Sequence, residues 1–480
     1  MKRYVFLFLV LSASVLHAKG PSFFSPPPDN TPGIYQIPGL CSEKNIVRQW
    51  KEHFYVVFSR EGLDCRFNLV DMQNMSVISC MMPYMGVPIP LDMKIIKDTV
   101  YFCGDAAENT NGFIGFFEIN DLFYNGGVFH FYCDMHDYFW SLLNIPHFSR
   151  VQCMRLIQMD VVEDESNGVL IYATGVGLRY NYVNSVLDSC YYLVELKRNY
   201  SFAADTAPGW TYTAISDTTL FGSHSDVAVR SGKVVTAWQN EQDSTFLFAK
   251  SDFPLGSTVN SSLIYNKPVN LKSDPGRNLL LSSQESSPYC GYTTYDSRND
   301  SWIYGIVDCF SSGDEISGLS FYMFLPTNEG AWGDIVDFDY NIDNQSFYCT
   351  HSGSFSLNGG GNVNNIIYRI DNTSCVCYYN ENVNTLSSSD HGVVHVMSSG
   401  NTMDGMNTTI SFDNFEQTGC YEYESQGMGL TPDELTSVNA HIVQFSQHPL
   451  VLNYAPEFVE TFIIEGYCVP EESNRTKTIK

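Results

Sequence analysis

A chain of 480 residues that is 44% hydrophobic and 14% aromatic has the apolar material for a large buried core, which excludes a charge-rich disordered protein. Lys and Arg number 26 against 53 Asp and Glu, and the net charge of -27 repels phosphate backbones and anionic lipids. Nucleic acid and membrane surfaces are therefore disfavoured as partners.

Lys2 and Arg3 precede an apolar run from Tyr4 to Val15, and Leu16-His17-Ala18 closes it. This pattern predicts a signal peptide over residues 1–18, cut after Ala18. The run is shorter than the roughly 20 apolar residues a membrane span needs, and no later stretch is both long and uncharged enough. The expected product is secreted, periplasmic or on the cell surface, with no transmembrane span. Residues 19–40, with PSFFSPPPDNTPG, read as an extended, stiff leader; residues 41–470 read as one β domain and 471–480 as a tail.

From Lys44 onward short apolar, aromatic-rich strands alternate with polar turns, best seen in KDTVYFCGDAAENTNGFIGFFEIND over residues 97–121. The first unit reads HFYVVFS, CRFNLVDM and SVISCMMP, and the second MKIIKD, TVYFCGD, GFIGFFEIND and VFHFYCDM. The third has MRLIQMDVVE, GVLIYATG, CYYLVELK and WTYTAIS; the fourth has SDVAVRS, KVVTAWQN, STFLFAKSD and SSLIYNKPV. The fifth is NLLLSSQ, PYCGYTTYD, SWIYGIVD and LSFYMFLP; the sixth is DIVDFDYNID, QSFYCTHSG, NIIYRID and CVCYYNE. The seventh gathers GVVHVMSS, NTTISFD and GCYEYES, with HIVQFS and FVETFIIEGYCV after it. Two helical stretches interrupt the pattern: Leu430–Val438, where Thr431 caps and Pro432 opens the first turn, and a turn at Asp137–Asn144.

A period of roughly 50 to 60 residues with about four strands each is the signature of propeller blades. The expected fold is all-β, a single β-propeller of about seven four-stranded blades whose ring the terminal segments close. Tandem β-sandwiches are the alternative, but no Pro/Gly/Ser linkers separate blocks of about 100 residues after Gly33.

The 14 cysteines read as bridges in an exported protein. The spacing suggests Cys65/Cys80, Cys103/Cys133, Cys153/Cys190 and Cys290/Cys309 within units. Cys349 pairs with Cys375 or Cys377, Cys420 takes the one left over, and a Cys41/Cys468 clasp joins the ends. No C-x-x-C pair or H-E-x-x-H occurs, so zinc is not expected. Asp334, Asp337 and Asp339 in DIVDFDYNID are candidate calcium ligands, the only cofactor the sequence raises, set against the plainer reading of a solvated acidic strand face.

No catalytic constellation is complete. The run FGSHSD over residues 221–226 is a polar turn entering a strand, since triad members converge through the fold and not by adjacency. LNGGGNVNN over residues 357–365 is a hairpin loop and not a phosphate cradle. Single scattered arginines and the lack of an intact S-x-D-x-G-x-T-W box argue against a sialidase. Sequons stand at Asn74, Asn199, Asn260, Asn299, Asn344, Asn372, Asn407 and Asn474.

The pair VYFCGD (Val100 to Asp105) and GFIGFFEIND (Gly112 to Asp121) resembles the repeat of uncharacterised secreted or cell-envelope proteins of Bacteroidota. That resemblance implies a β-propeller-like exported protein of no established activity. The sequons and cysteines are similar to those of propeller heads of viral attachment glycoproteins, from which this chain departs by its cleavable signal. The expected function is a non-enzymatic binding or surface protein contacting a glycan or protein ligand through blade-end loops. The alternative is a glycan-active hydrolase or lyase with carboxylates at the channel.

Overall fold

Alternation of β-branched and aromatic residues with polar ones builds strands throughout. In Phe54–Glu61, Phe54, Val56 and Phe58 face one way while Tyr55, Val57 and Ser59 face the other. The structure is a computed structural model. It describes residues 33–37, 44–51, 53–83, 88–106, 111–133, 151–164, 168–181, 186–199 and 210–215, and from 225 to 468 the strands named below with 455–458 and 464.

In chain order, β1 is Gly33–Ile37. A first meander has β2 Lys44–Lys51, β3 Phe54–Glu61, β4 Asp64–Asp71 and β5 Ser76–Met81. The second has β6 Pro88–Ile96, β7 Thr99–Ala106, β8 Asn111–Glu118 and β9 Phe129–Cys133, with a single π-helical turn at Asp121–Asn125. The third is β10 Val151–Asp164, β11 Gly168–Asn181, β12 Val186–Asn199 and β13 Trp210–Ile215; the fourth is β14 Ser225–Arg230, β15 Lys233–Asn240, β16 Thr245–Asp252 and β17 Ile264–Pro268. The fifth is β18 Leu279–Leu281, β19 Tyr289–Asp296, β20 Ser301–Asp308 and β21 Ser317–Met323; the sixth is β22 Trp332–Asn341, β23 Ser346–Ser356, β24 Asn362–Ile370 and β25 Cys375–Asn380. A seventh begins with β26 Val383–Ser389, β27 Gly392–Ser398 and β28 Thr408–Phe412, and β1 supplies its fourth strand.

Seven short strands then return: β29 Glu422–Ser425, β30 Met428–Asp433, β31 Thr436–Val438, β32 Ile442–Gln447, β33 Leu450–Tyr454, β34 Val459–Ile463 and β35 Glu465–Cys468. They add one outer strand each to the sixth, fifth, fourth, third, second, first and seventh sheets, in that order. Among the described residues the result is seven five-stranded antiparallel sheets, none closed on itself. The first strands are neighbours in the order β2, β6, β10, β14, β18, β22 and β26, and β26 lies beside β2. The two ends of the described chain meet, since β35 pairs with β1.

Between the first and second sheets the core is aromatic. Phe67 has ring centroids of Phe117, Phe102, Phe58 and Phe129 at 4.9, 5.0, 5.2 and 5.8 Å. Two glycines of the 97–121 stretch are there for close approach: a methyl at Gly115 would collide with the Phe102 ring, and one at Gly104 with the Ile89 carbonyl oxygen. Tyr101, Ile114, Leu156, Ile171 and Val194 join the second and third sheets, and Leu170, Tyr172, Val227 and Val229 the third and fourth.

Several expectations are corrected. Leu430–Val438 is not a helix: Met428–Asp433 pairs with β21 and Thr436–Val438 with β17. Pro432 sits on the outer edge strand of its sheet, where a missing N–H is tolerated, and tertiary pairing overrides the local capping signal. The first unit has a further strand, β2. The strand in GCYEYES does not belong to the seventh unit but is the outer strand of the sixth sheet; HIVQFS supplies that of the third, and FVETFIIEGYCV those of the first and the seventh. Within the leader region, Gly33–Ile37 is a strand, and Ile37 is buried. The turn at Asp137–Asn144 lies outside the described residues.

Candidate functional site: charged groups on the first strands

The first strand of each sheet has a neighbour on one side only, so every second N–H along it lacks a ladder partner. Aspartates meet that need. Asp92 on β6, Asp160 on β10 and Asp226 on β14 are all buried. In each, Oδ1 accepts from the next residue's N–H: Met93 at 2.8 Å, Val161 at 2.9 Å and Val227 at 2.7 Å. The other oxygen of the first two crosses to the adjacent sheet. Met159 N–H donates to Asp92 Oδ2 at 3.0 Å, and Val229 N–H donates to Asp160 Oδ2 at 2.7 Å. One carboxylate thus joins the open edges of two sheets.

Basic side chains complete the row. Arg48 on β2 donates through Nη2 to Asp92 Oδ1 at 2.9 Å, through Nε to the Met93 carbonyl at 2.9 Å and through Nη1 to the Val47 carbonyl at 2.8 Å. Lys94 Nζ lies 4.0 Å from Asp160 Oδ1. Charges this deeply buried are tolerated only when paired and hydrogen-bonded, and here the pairing runs from the first sheet through to the fourth. The carboxylate lone pairs are committed to backbone N–H groups and Arg48. Each joint between sheets runs through one of these carboxylates, so the row is suited to holding the sheets in register.

A second cluster lies between the second and third sheets. The Arg198 guanidinium stands 3.9 Å from the Phe116 ring centroid, and the His130 ring stacks on Phe116 at 4.7 Å. Arg198 Nη1 donates to the Tyr101 hydroxyl at 2.7 Å, and its Nη2 lies 3.6 Å from Glu118. Burial raises the Tyr132 hydroxyl pKa against the pull of the nearby Arg198 charge. His130 Nδ1 is 2.7 Å from Asn453 Oδ1, tying the cluster to the outer strand β33.

The expected bridges do not form where thiols are described. Cys80 Sγ donates to the Leu122 carbonyl at 3.9 Å and Cys103 Sγ to the Leu156 carbonyl at 3.8 Å, so neither is oxidised to Cys65 or Cys133. Register gives the reason. Phe67, not Cys65, stands opposite Cys80, and a two-residue offset separates the Cβ atoms by roughly 7 Å, beyond disulfide reach. Cys103 and Cys133 lie on β7 and β9 with β8 between, about 10 Å apart. Cys153 and Cys190 are both in register with Gly177, and β24 runs between Cys349 on β23 and Cys375 and Cys377 on β25; the side chains of these five are outside the described set. Cys290 is on β19 and Cys468 on β35, while Cys41, Cys309 and Cys420 lie outside the described residues. Burial pushes the Cys80 thiol up to about 12.

Asp334, Asp337 and Asp339 are on β22, whose register with β23 slips between Ile335 and Asp337. The side chains of that strand are outside the described set. Among the described residues no three His, Cys, Asp or Glu side chains converge as a metal cage, and no helix is long and apolar enough to cross a membrane. Of FGSHSD, Ser225 and Asp226 open β14 and the rest lies outside the described residues.

Arg48, Asp92, Lys94 and Asp160 fall in none of the motifs the sequence offers. A signal for the carboxylates exists: an Asp with an apolar residue directly after it recurs as LDMKI, MDVVE and SDVAV on three first strands. No protein-family profile matches the chain, and no curated protein matches it.

Proposed function

We propose that the chain is an exported, non-enzymatic binding protein built as a seven-bladed β-propeller, contacting a glycan or protein ligand through the loops at the blade ends. Seven like sheets with first strands in cyclic neighbour order, and terminal strands shared in the seventh, favour a propeller over tandem sandwiches. The observation that carries the non-enzymatic reading is the engagement of Asp92 and Asp160. Their oxygens join β6 to β10 and β10 to β14 and are not presented to a substrate.

The test is a glycan array and thermal-shift screen of the full chain, run beside turnover assays on glycan substrates. A ligand at about 100 times its dissociation constant raises stability by about 2.7 kcal/mol, an easily read shift in melting temperature. Ligand-dependent stabilisation without turnover supports the reading. Glycan cleavage by the purified chain overturns it. Small-angle scattering checks the architecture: a compact ring of this length has a radius of gyration of about 23 Å, and tandem sandwiches give a clearly larger value.

A further inference from the structure

The face of the first sheet turned toward β1 packs Val47, Tyr55, Val57, Val70 and Val77 with Ile37 and Ile464. A polar patch occupies one end of the same face. Register sets Asn45 opposite Ser59 and Ser59 opposite Arg66; in the next row Val57, Asn68, Ser79 and Glu460 stand in line. Asn45, Ser59, Asn68 and Ser79 are each at most 1% exposed. Asn68 Nδ2 donates to Ser59 Oγ and to the Val57 carbonyl, both at 3.0 Å. A carbonyl only accepts, so the amide cannot be turned the other way.

With that orientation fixed, Asn68 Oδ1, Ser79 Oγ, both amide atoms of Asn45 and Nε of Arg66 have no hydrogen-bond partner. An orphaned buried polar atom is costly, and here several gather on one face. They mix donors and acceptors, a combination that water satisfies and a single ion does not. Adjacent strands are about 4.8 Å apart, a spacing one bridging molecule can span. Arg66 and Glu460, paired at 3.6 Å with side chains 19% and 50% exposed, mark where the patch reaches solvent. Thr174 and Ser225, in the third and fourth sheets, are the other buried hydroxyls without a partner among the described residues.

We propose that the seam between the first and seventh sheets binds a row of ordered water molecules, anchored by Asn45, Asn68 and Ser79 and entered past Arg66 and Glu460. The test is a cycle of Ser79→Ala, Asn45→Leu and the double variant in the full chain, read by denaturant unfolding. Hydration predicts that Ser79→Ala lowers the folding equilibrium constant about tenfold and that the double variant loses less than the two singles multiplied. A neutral or stabilising Ser79→Ala, with effects that multiply independently, overturns the proposal, because dry orphan groups are better replaced by carbon. Should Asn45→Leu fail to fold, a high-resolution crystal structure of the native chain decides. Ordered water on Asn68 Oδ1 and Ser79 Oγ supports the row, and a dry seam or direct protein partners overturn it.

Discussion

The first sheet has two faces that solve the same packing problem differently. Toward the second sheet it buries Phe58, Phe67 and Leu69 among Phe102, Phe117, Phe129 and Phe131, and Arg48 reaches across to Asp92. Toward the seventh it offers smaller valines and a polar patch with orphaned atoms. Within one chain segment a covalently continuous crossing leads from the first sheet to the second, whereas the seventh is assembled from strands at the two ends of the chain. Large interlocking rings and a charge clasp thus mark the seam made between consecutive units. The seam made by distant segments is less tightly specified, and the following substitutions test that asymmetry.

The largest effect is expected at Phe67, fully buried with four aromatic neighbours. Phe67→Ala should cost about 3–5 kcal/mol, read by denaturant unfolding. Val57→Ala, equally buried on the opposite face, removes two methyl groups and should cost about 2 kcal/mol. Equal losses at the two positions would erase the asymmetry.

Asp92 distinguishes a counterion from a joint between sheets. Asp92→Ala leaves the buried Arg48 charge without this carboxylate and should cost about 3 kcal/mol. Replacing both, Arg48→Met with Asp92→Leu, removes the buried charges together. If Asp92 were only a counterion, stability would return close to that of the native chain. Because Met93 and Met159 N–H also lose their acceptor, the pair should stay about 1–3 kcal/mol less stable. Full recovery would show that the N–H groups find other partners.

Gly115→Ala places a methyl in the Phe102 ring and should cost about 1–3 kcal/mol, as overpacking in a filled core does. A similar change at Gly62, where nothing stands near, tests backbone strain alone because φ is +59°.

How far the sequence told this in advance depends on where partners lie. Units two to six were legible strand by strand, since alternation such as Val227, Val229 against Ala228 is local. β2 escaped because Lys44, Asn45, Arg48 and Gln49 blur the pattern, and two of those polar residues, Asn45 and Arg48, serve the two seams. The return strands escaped for another reason. β34 is five residues long, and its register, with Thr461 opposite Ile78, is fixed by a strand almost 400 positions away. The helix signal at Thr431-Pro432 misled because capping chemistry is local while pairing with Leu319 is not. Asp92 and Asp160 were each a single acid in an apolar run, and their role exists only where two sheet edges come together.

The smallest expected effect concerns Cys80, which faces the aromatic seam with its thiol donating to Leu122. Burial raises its pKa from 9.0 to about 12, so the neutral thiol is the folded form well above the pH at which an unfolded chain ionises. The sign follows: this group's contribution is fully present below pH 9 and is lost as pH rises from there through about 12, because the unfolded state releases its proton first. Native chain at pH 9 should therefore leave Cys80 unmodified by iodoacetamide on a timescale that labels the urea-unfolded chain, as peptide mass mapping would read. Phe67→Ala, by loosening the surrounding rings, should speed that labelling while Val57→Ala leaves it slow. Rapid native labelling at Cys80 would place the weak seam on the aromatic side and reverse the comparison.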